Sequence, residues 1–228
     1  MTTQHALVHL APEPGDTARD LVDRVENALW ELPGGWEQVR IIRGRYAQYF
    51  PLREGADSDH PHLVRAAQFE AIGYAGGPVG LLGLNLRRTQ EADRAARLYD
   101  VWTQAVAAMP PVRPLASYTA DGWSIEAWLA FRQQPQIEIV HTLTHHPISV
   151  SDQEALAVMD RDAFVERARA QAVTGDSLLQ LDGRWLTNPT WADVQMPDEA
   201  STEYHQHVND YLDNLPHDHL IIGADFIR

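Results

Sequence analysis

Residues 204–220, YHQHVNDYLDNLPHDHL, place four histidines and three aspartates in seventeen positions. Imidazole and carboxylate are the ligands of metal-dependent hydrolases, so spacing decides whether these side chains could share an ion. The apolar positions Tyr204, Val208, Tyr211, Leu212 and Leu215 recur with helical period. On such a helix His205 and His207 stand about 200° apart and flank the apolar stripe on opposite sides. Beyond Pro216, HDHLIIGADFI reads as a strand apolar on both faces. There His217 and His219 would share one side, about 6–7 Å apart at the Cα atoms, and could hold a divalent metal if other strands supplied ligands. Asp225 shares that side but lies about 20 Å along the strand. The plainer reading is a pair of solvated residues where a strand begins.

A second constellation, ADSDHPHL, gathers Asp57, Asp59, His60 and His62. Hard carboxylates and imidazoles at this spacing fit a metallophosphoesterase loop. The same residues fit a helix start, with Asp59 as cap and Pro61 in the first turn. In HTLTHH, His141 alternates with Ile137, Ile139 and Leu143, the pattern of a hydrogen-bonded histidine in a core strand. Arg40, Arg43, Arg45 and Arg53, interleaved with Tyr46, Tyr49 and Phe50, form the one basic–aromatic stretch. Arg43, Arg45 and Arg53 are its anion-binding candidates, by charge and stacking; structural ion pairs are the alternative. Seven tryptophans are present, and Trp123, Trp128, Trp185 and Trp191 fall in the second half as candidate partner-binding anchors or core residues.

Absences narrow the chemistry further. The 228 residues include no cysteine and no lysine, all 18 basic residues being arginine. Thiolate metal sites, cysteine nucleophiles, a Walker A lysine and Schiff-base chemistry are thereby excluded. The glycines of GYAGGPVGLLG match no nucleotide-binding spacing, and neither G-x-S-x-G nor H-E-x-x-H occurs. The net charge is −14. Residues 190–228 carry eight acids against Arg228 alone, whereas residues 61–120 carry six arginines against four acids. Such a distribution disfavours nucleic acid and membranes and steers basic partners. The N-terminus lacks a basic, apolar leader pattern and no apolar run reaches bilayer length, so the expected location is cytoplasmic.

The elements expected to position these residues follow from pattern. HALVHL predicts a strand, Asp16–Leu32 a helix ended by Pro33-Gly34-Gly35, and residues 38–50 a second strand. Residues 60–74 read as a helix, 79–86 as a strand and 88–109 as a long helix. MPPVRP (109–114) marks a boundary between an α/β-type domain over 1–110 and an α+β domain over 115–228, although a single domain is also possible. Beyond it, residues 115–131 predict a hairpin at Asp121-Gly122, and 136–144 a strand. Residues 151–173 read as a helix broken near Asp160, and 177–187 as a second hairpin at Asp182-Gly183. A helix over 199–215 and a strand over 219–227 close the chain. The whole is α+β, with a β-α-β-α-β-α first half and a hairpin-rich second half.

The last fifty or so residues, with Asp182-Gly183 and Trp185, a helix ending in Leu215-Pro216 with Asp218, and a strand with Asp225 and Ile227, resemble the terminal module of uncharacterised proteins from actinobacteria and their phages. This chain ends in Asp-Phe-Ile-Arg where that module has cysteine and histidine after the aspartate. The resemblance implies a GC-rich actinobacterial or phage source, consistent with the missing lysine, and no activity or cofactor. Charge and tryptophan content then favour a non-enzymatic acidic protein-binding or accessory protein, of immunity type or regulatory. A metal-dependent hydrolase and a DNA-mimicking inhibitor are the alternatives.

Overall fold

The computed structural model describes residues 3–32, 38–41, 50–65, 73–120, 122–143, 150–189 and 198–227. Its strands are β1 (Thr3–Leu10), β2 (Gln38–Ile41), β3 (Val64–Arg65), β4 (Tyr74–Pro78), β5 (Ser177–Leu179), β6 (Trp185–Thr187) and β7 (Leu220–Ile227). The helices are α1 (Ala18–Trp30), α2 (Leu84–Val106), α3 (Ile125–Arg132), α4 (Pro135–Leu143), α5 (Val150–Val158), α6 (Arg161–Gln171) and α7 (Asp198–Asp213). This is an α+β fold, as the sequence pattern predicts.

The chain divides into two compact units, residues 1–89 with 170–228, and residues 90–169. The expected division at 109–114 is therefore corrected. The first and last strands, β1 and β7, pair antiparallel over eight residues, Thr3 opposite Ile227 through Leu10 opposite Leu220, which draws both chain ends into one unit. The proline run lies inside the other unit. There the Gln134 side chain brackets Arg113, accepting from its N–H at 2.8 Å and donating to its carbonyl at 3.0 Å.

In the first unit one mixed sheet runs β3-β4-β7-β1-β5-β6, with β2 also pairing β7. β1 and β5 are parallel; the remaining pairs are antiparallel. Strand alternation sends Ala6, Val8 and Leu10 to one face of β1 and Leu7 to the other, and all four are buried. Helix α1 covers the first face with Leu21, Val25 and Leu29, spaced i, i+4, i+8 and wholly buried. A reciprocal Thr17–Asp20 capping box starts it. Helix α7 covers the second face with Tyr204, Val208 and Leu212 at the same spacing, against Leu7, Leu178 and Ile221. Complete burial of Val208 and Leu212 contributes roughly 1.5–3 kcal/mol each. The hairpin at Asp182-Gly183 forms as expected, Gly183 taking φ +82 at the turn.

The second unit is helical among its described residues, with Trp102, Val140, Leu156 and Phe164 at its core. Trp102 Nε1 donates to the Gln136 carbonyl at 3.1 Å, so the indole is buried without loss of its hydrogen bond. The expected helix break holds: α5 ends before Asp160, whose carboxylate caps α6 by accepting from the Ala163 N–H at 2.8 Å.

Four expected elements are corrected. Residues 115–117 form a short 3-10 turn and 125–132 form α3 where a hairpin is expected, because Ser124 Oγ accepts the Ala127 N–H and caps a helix; Asp121 lies outside the described residues. Residues 136–143 are helical rather than extended: Pro135 sits at the first helical position, and Ile137 and Val140, three apart, are both fully buried. Residues 60–63 form turns rather than a helix start. Residues 79–86 are a 3-10 turn and the first turn of α2, the strand lying earlier at Tyr74–Pro78.

Candidate functional site

Alternation along β1 places His5, Leu7 and His9 on the face that α7 covers, so both imidazoles are enclosed and must find partners there. At one end of the strand pair His9 does so twice. Its Nδ1 lies 2.5 Å from the Tyr211 hydroxyl on α7, and its Nε2 lies 2.8 Å from Nδ1 of His219, just before β7. His9 is pushed down to about 4, by burial first and then by the charge of His219. The ring is therefore neutral at physiological pH. Burial likewise raises Tyr211, against the opposing effect of the Leu181 backbone N–H that faces its oxygen. A hydrogen-bonded chain thus links α7, β1 and the start of β7.

At the other end His5 stands opposite Asp225 in the register, and its Nδ1 meets the Asp225 carboxylate at 2.9 Å. The His5 backbone N–H donates to the Asp176 carboxylate, also at 2.9 Å. Burial pushes Asp176 up, partly opposed by that bond. Nε2 of His5 is enclosed and has no partner among the described residues. Gly175, at φ +62, packs directly on the ring and the His5 carbonyl, where a Cβ would be crowded at 3.1 Å. The Asp–His pair has the hydrogen bond of a general base held in orientation, but no hydroxyl nucleophile stands at Nε2 among the described residues.

A third histidine is structural. His205 lies within a buried network in which Asn188 Nδ2 reaches its Nε2 at 3.2 Å and Thr174 Oγ1 its Nδ1 at 2.6 Å. The Asn188 amide also donates to Ser201 Oγ. With Nε2 accepting, Nδ1–H donates to Thr174, which fixes the tautomer.

The shared strand face that His217 and His219 would need as candidate ligands does not form. Residues 216–219 are a turn closed by the His219 N–H on the Pro216 carbonyl, and the strand starts one residue later. His219 faces His9; His217 is exposed and lines an open cleft of about 400 Å³. In the other candidate loop the Asp57 carboxylate accepts the Asp59 N–H, and His60 Nδ1 accepts the His62 N–H. The His60 and His62 rings meet edge to face at 5.2 Å. These are turn-forming bonds. Among the described residues no group of three His, Asp or Glu side chains converges, and none of these residues is assigned as a metal ligand.

Arg53 is exposed at the rim of the cleft with Glu54 beside it, and the first turn of α2 forms another wall. Beneath that wall Arg88 is buried and donates to Asn85, Asn209 and Asp213 at 2.8–3.0 Å. Arg43 and Arg45 lie outside the described residues. Phe50, expected as a stacking platform, is fully buried in the core. Of the tryptophans, Trp185 packs against the core under α1 and Trp191 lies outside the described residues. Trp123 is 47% exposed, next to Ile125 at 56% and Leu129 at 44% on α3. Trp128, one turn on from Ser124, carries the Arg132 guanidinium 4.7 Å above its ring.

Alternation in HALVHL puts His5 and His9 on one face of a strand, but their partners belong to the other end of the chain and leave no local trace. The only local signal was the alternation of histidine with leucine in a strand apolar on its other face. No helix among the described residues is long and apolar enough to cross a membrane. No protein-family model, curated protein or solved structure matches the chain.

Proposed function

We propose that this chain is a non-enzymatic protein-binding module whose docking surface is the outer face of α3. The observation that carries this reading is the exposure of Trp123, Ile125 and Leu129, three large apolar side chains within seven positions, on a unit with its own buried core. Ile125 and Leu129 are one helical turn apart and face the same way, which suits a groove or a second helix laid against them. The Arg132–Trp128 stack holds a second aromatic at the border of that face. The partner is a basic protein segment with apolar anchors. A chain of net charge −14 attracts such a segment at long range, and the α3 face supplies the short-range energy. An immunity-type or regulatory role accords with such a surface.

The test is capture with the intact chain and with Leu129→Glu as baits, at low and high salt, followed by identification of bound proteins. The expected result is a basic protein held by the native chain, released as salt rises and lost from the variant. Binding that is indifferent to Leu129→Glu overturns the assignment to α3.

A further inference from the structure

Beside the exposed apolar pair of α3 stands a carboxylate that the fold does not use. Glu126 follows Ile125 directly and precedes Leu129 by three residues. It is exposed and makes no hydrogen bond or ion pair among the described residues. We propose that Glu126 is the specificity-determining residue of the α3 docking face. It selects a partner helix that carries a lysine or arginine on one flank of its apolar stripe. Such a role rests on the docking reading of α3 and names what that face selects.

Helix capping does not account for this side chain. A carboxylate that completes a capping box belongs at the third helical position, which here is Ala127. The Ala127 N–H is already taken by Ser124 Oγ at 3.1 Å. Glu126, at the second position, gains only the general attraction of a helix start for negative charge.

Helix geometry gives the face two unlike borders. At about 100° per residue, Glu126 and Arg132 stand about 60° to either side of Leu129, and about 4.5 Å before and after it along the axis. Arg132 is held over the Trp128 ring, its guanidinium carbon 4.7 Å from the centroid. A basic side chain arriving with the partner is therefore repelled at one border and attracted at the other. Range explains why Glu126, and not the net charge, makes the choice. Residues three apart on a helix have Cβ atoms about 5–6 Å apart, within the Debye length of about 8 Å at physiological ionic strength. The remainder of the −14 is spread over the whole chain, so it steers the encounter and adds little at contact.

The test is NMR titration of the full ¹⁵N-labelled chain with three synthetic amphipathic helical peptides. They share one leucine stripe and differ in the residue along one flank: lysine, glutamine or glutamate. The lysine peptide is expected to shift the α3 amides and to bind about two- to fivefold more tightly than the glutamine peptide, with the glutamate peptide weakest. Glu126→Gln removes the preference for lysine, and Glu126→Arg turns it toward the glutamate peptide. Leu129→Ser, which changes no charge, abolishes the α3 shifts with every peptide. If Glu126→Arg keeps the lysine preference while Leu129→Ser abolishes binding, Glu126 has no such role and the docking face stands. If no peptide shifts the α3 amides, or Leu129→Ser changes nothing, the docking face fails and the role falls with it. Positions 126 and 129 are exposed, so all three variants are expected to fold, and the amide spectrum of each checks it.

Discussion

The position of β7, and with it of His219 and His217, depends on a close approach that only glycine permits. A Cβ added to Gly76 on β4 would overlap the Ile221 carbonyl oxygen and stand 2.6 Å from Ile222 Cα. Both atoms are backbone at the centre of the sheet, so no flexible side chain can give way. Ordinary carbon contacts lie near 3.5–4.0 Å, so β4 would have to withdraw by about 1 Å. That displacement breaks the pairing of Gly76, Gly77 and Pro78 with Ile222, Ile221 and Leu220. Overpacking costs about 1–3 kcal/mol and two weakened hydrogen bonds about 1 kcal/mol each, so Gly76→Ala is expected to lose about 3–5 kcal/mol. Gly55→Ala is the matched comparison. Gly55 has positive φ, +75, but open space around it, and the strain alone costs about 1–2 kcal/mol. For a chain of this size each kcal/mol moves Tm by about 2–4 °C, which puts the Gly76 variant roughly 10 °C down and the Gly55 variant roughly 4 °C down. Hydrogen exchange at the Ile221 and Ile222 amides, measured beside the melt, ties the loss to this strand pair. If Gly76→Ala melts no lower than Gly55→Ala, the close approach is not a constraint and the reasoning fails.

Two other outcomes follow from the buried polar groups. His9 has a folded-state value near 4 against about 6.5 when unfolded, so the unfolded chain takes up the proton first as pH falls. Its stabilising contribution is complete above about pH 6.5 and declines as pH falls toward 4; the full shift is about 3 kcal/mol, which water near His219 screens to about 1–2. Urea unfolding across that range measures the slope, and His9→Gln is expected to reduce it. Arg88→Met should cost about 2–3 kcal/mol, because the Asn85 and Asn209 carbonyl oxygens lose a charged donor while the half-exposed Asp213 recovers water. Arg88→Lys should recover less than half of that loss, since an ammonium cannot reproduce the guanidinium fork; chemical denaturation of both variants measures it.

The elements legible in the sequence are those whose local signals agree. Thr17 and Asp20 cap α1 just ahead of a clean i, i+4, i+8 stripe; Asp182-Gly183 sits between two short apolar runs; Asp160 separates α5 from α6. Where signals conflicted, the helical period won over β-propensity. WSIEAWLAF and QIEIVHTL are rich in aromatic and β-branched residues, yet Ser124 and Pro135 start helices there, and burial of Ile137 and Val140 on one face holds the second. Strand preference reflects packing on a pleated surface, and these segments belong to a unit that is helical among its described residues.

The histidines follow the same logic at longer range. His-x-His spacing selects a shared face only if both residues lie within the strand, and the strand begins only at Leu220, so both histidines fall in the turn that precedes it. What then decides each imidazole's role is the strand that arrives beside it. β7 lies antiparallel to β1 from the opposite end of the chain, bringing His219 to His9 and Asp225 to His5, separations of 210 and 220 residues. No local pattern encodes that register. It is set by matching two strands that are buried on both faces, where a slip of one residue would exchange the His5, Leu7 and His9 face for the Ala6, Val8 and Leu10 face and leave two imidazoles against α1 without partners. The polar contacts therefore help to fix the register that creates them, which is why His9→Leu, although apolar and of suitable size, would remove a determinant of strand alignment as well as a titrating group.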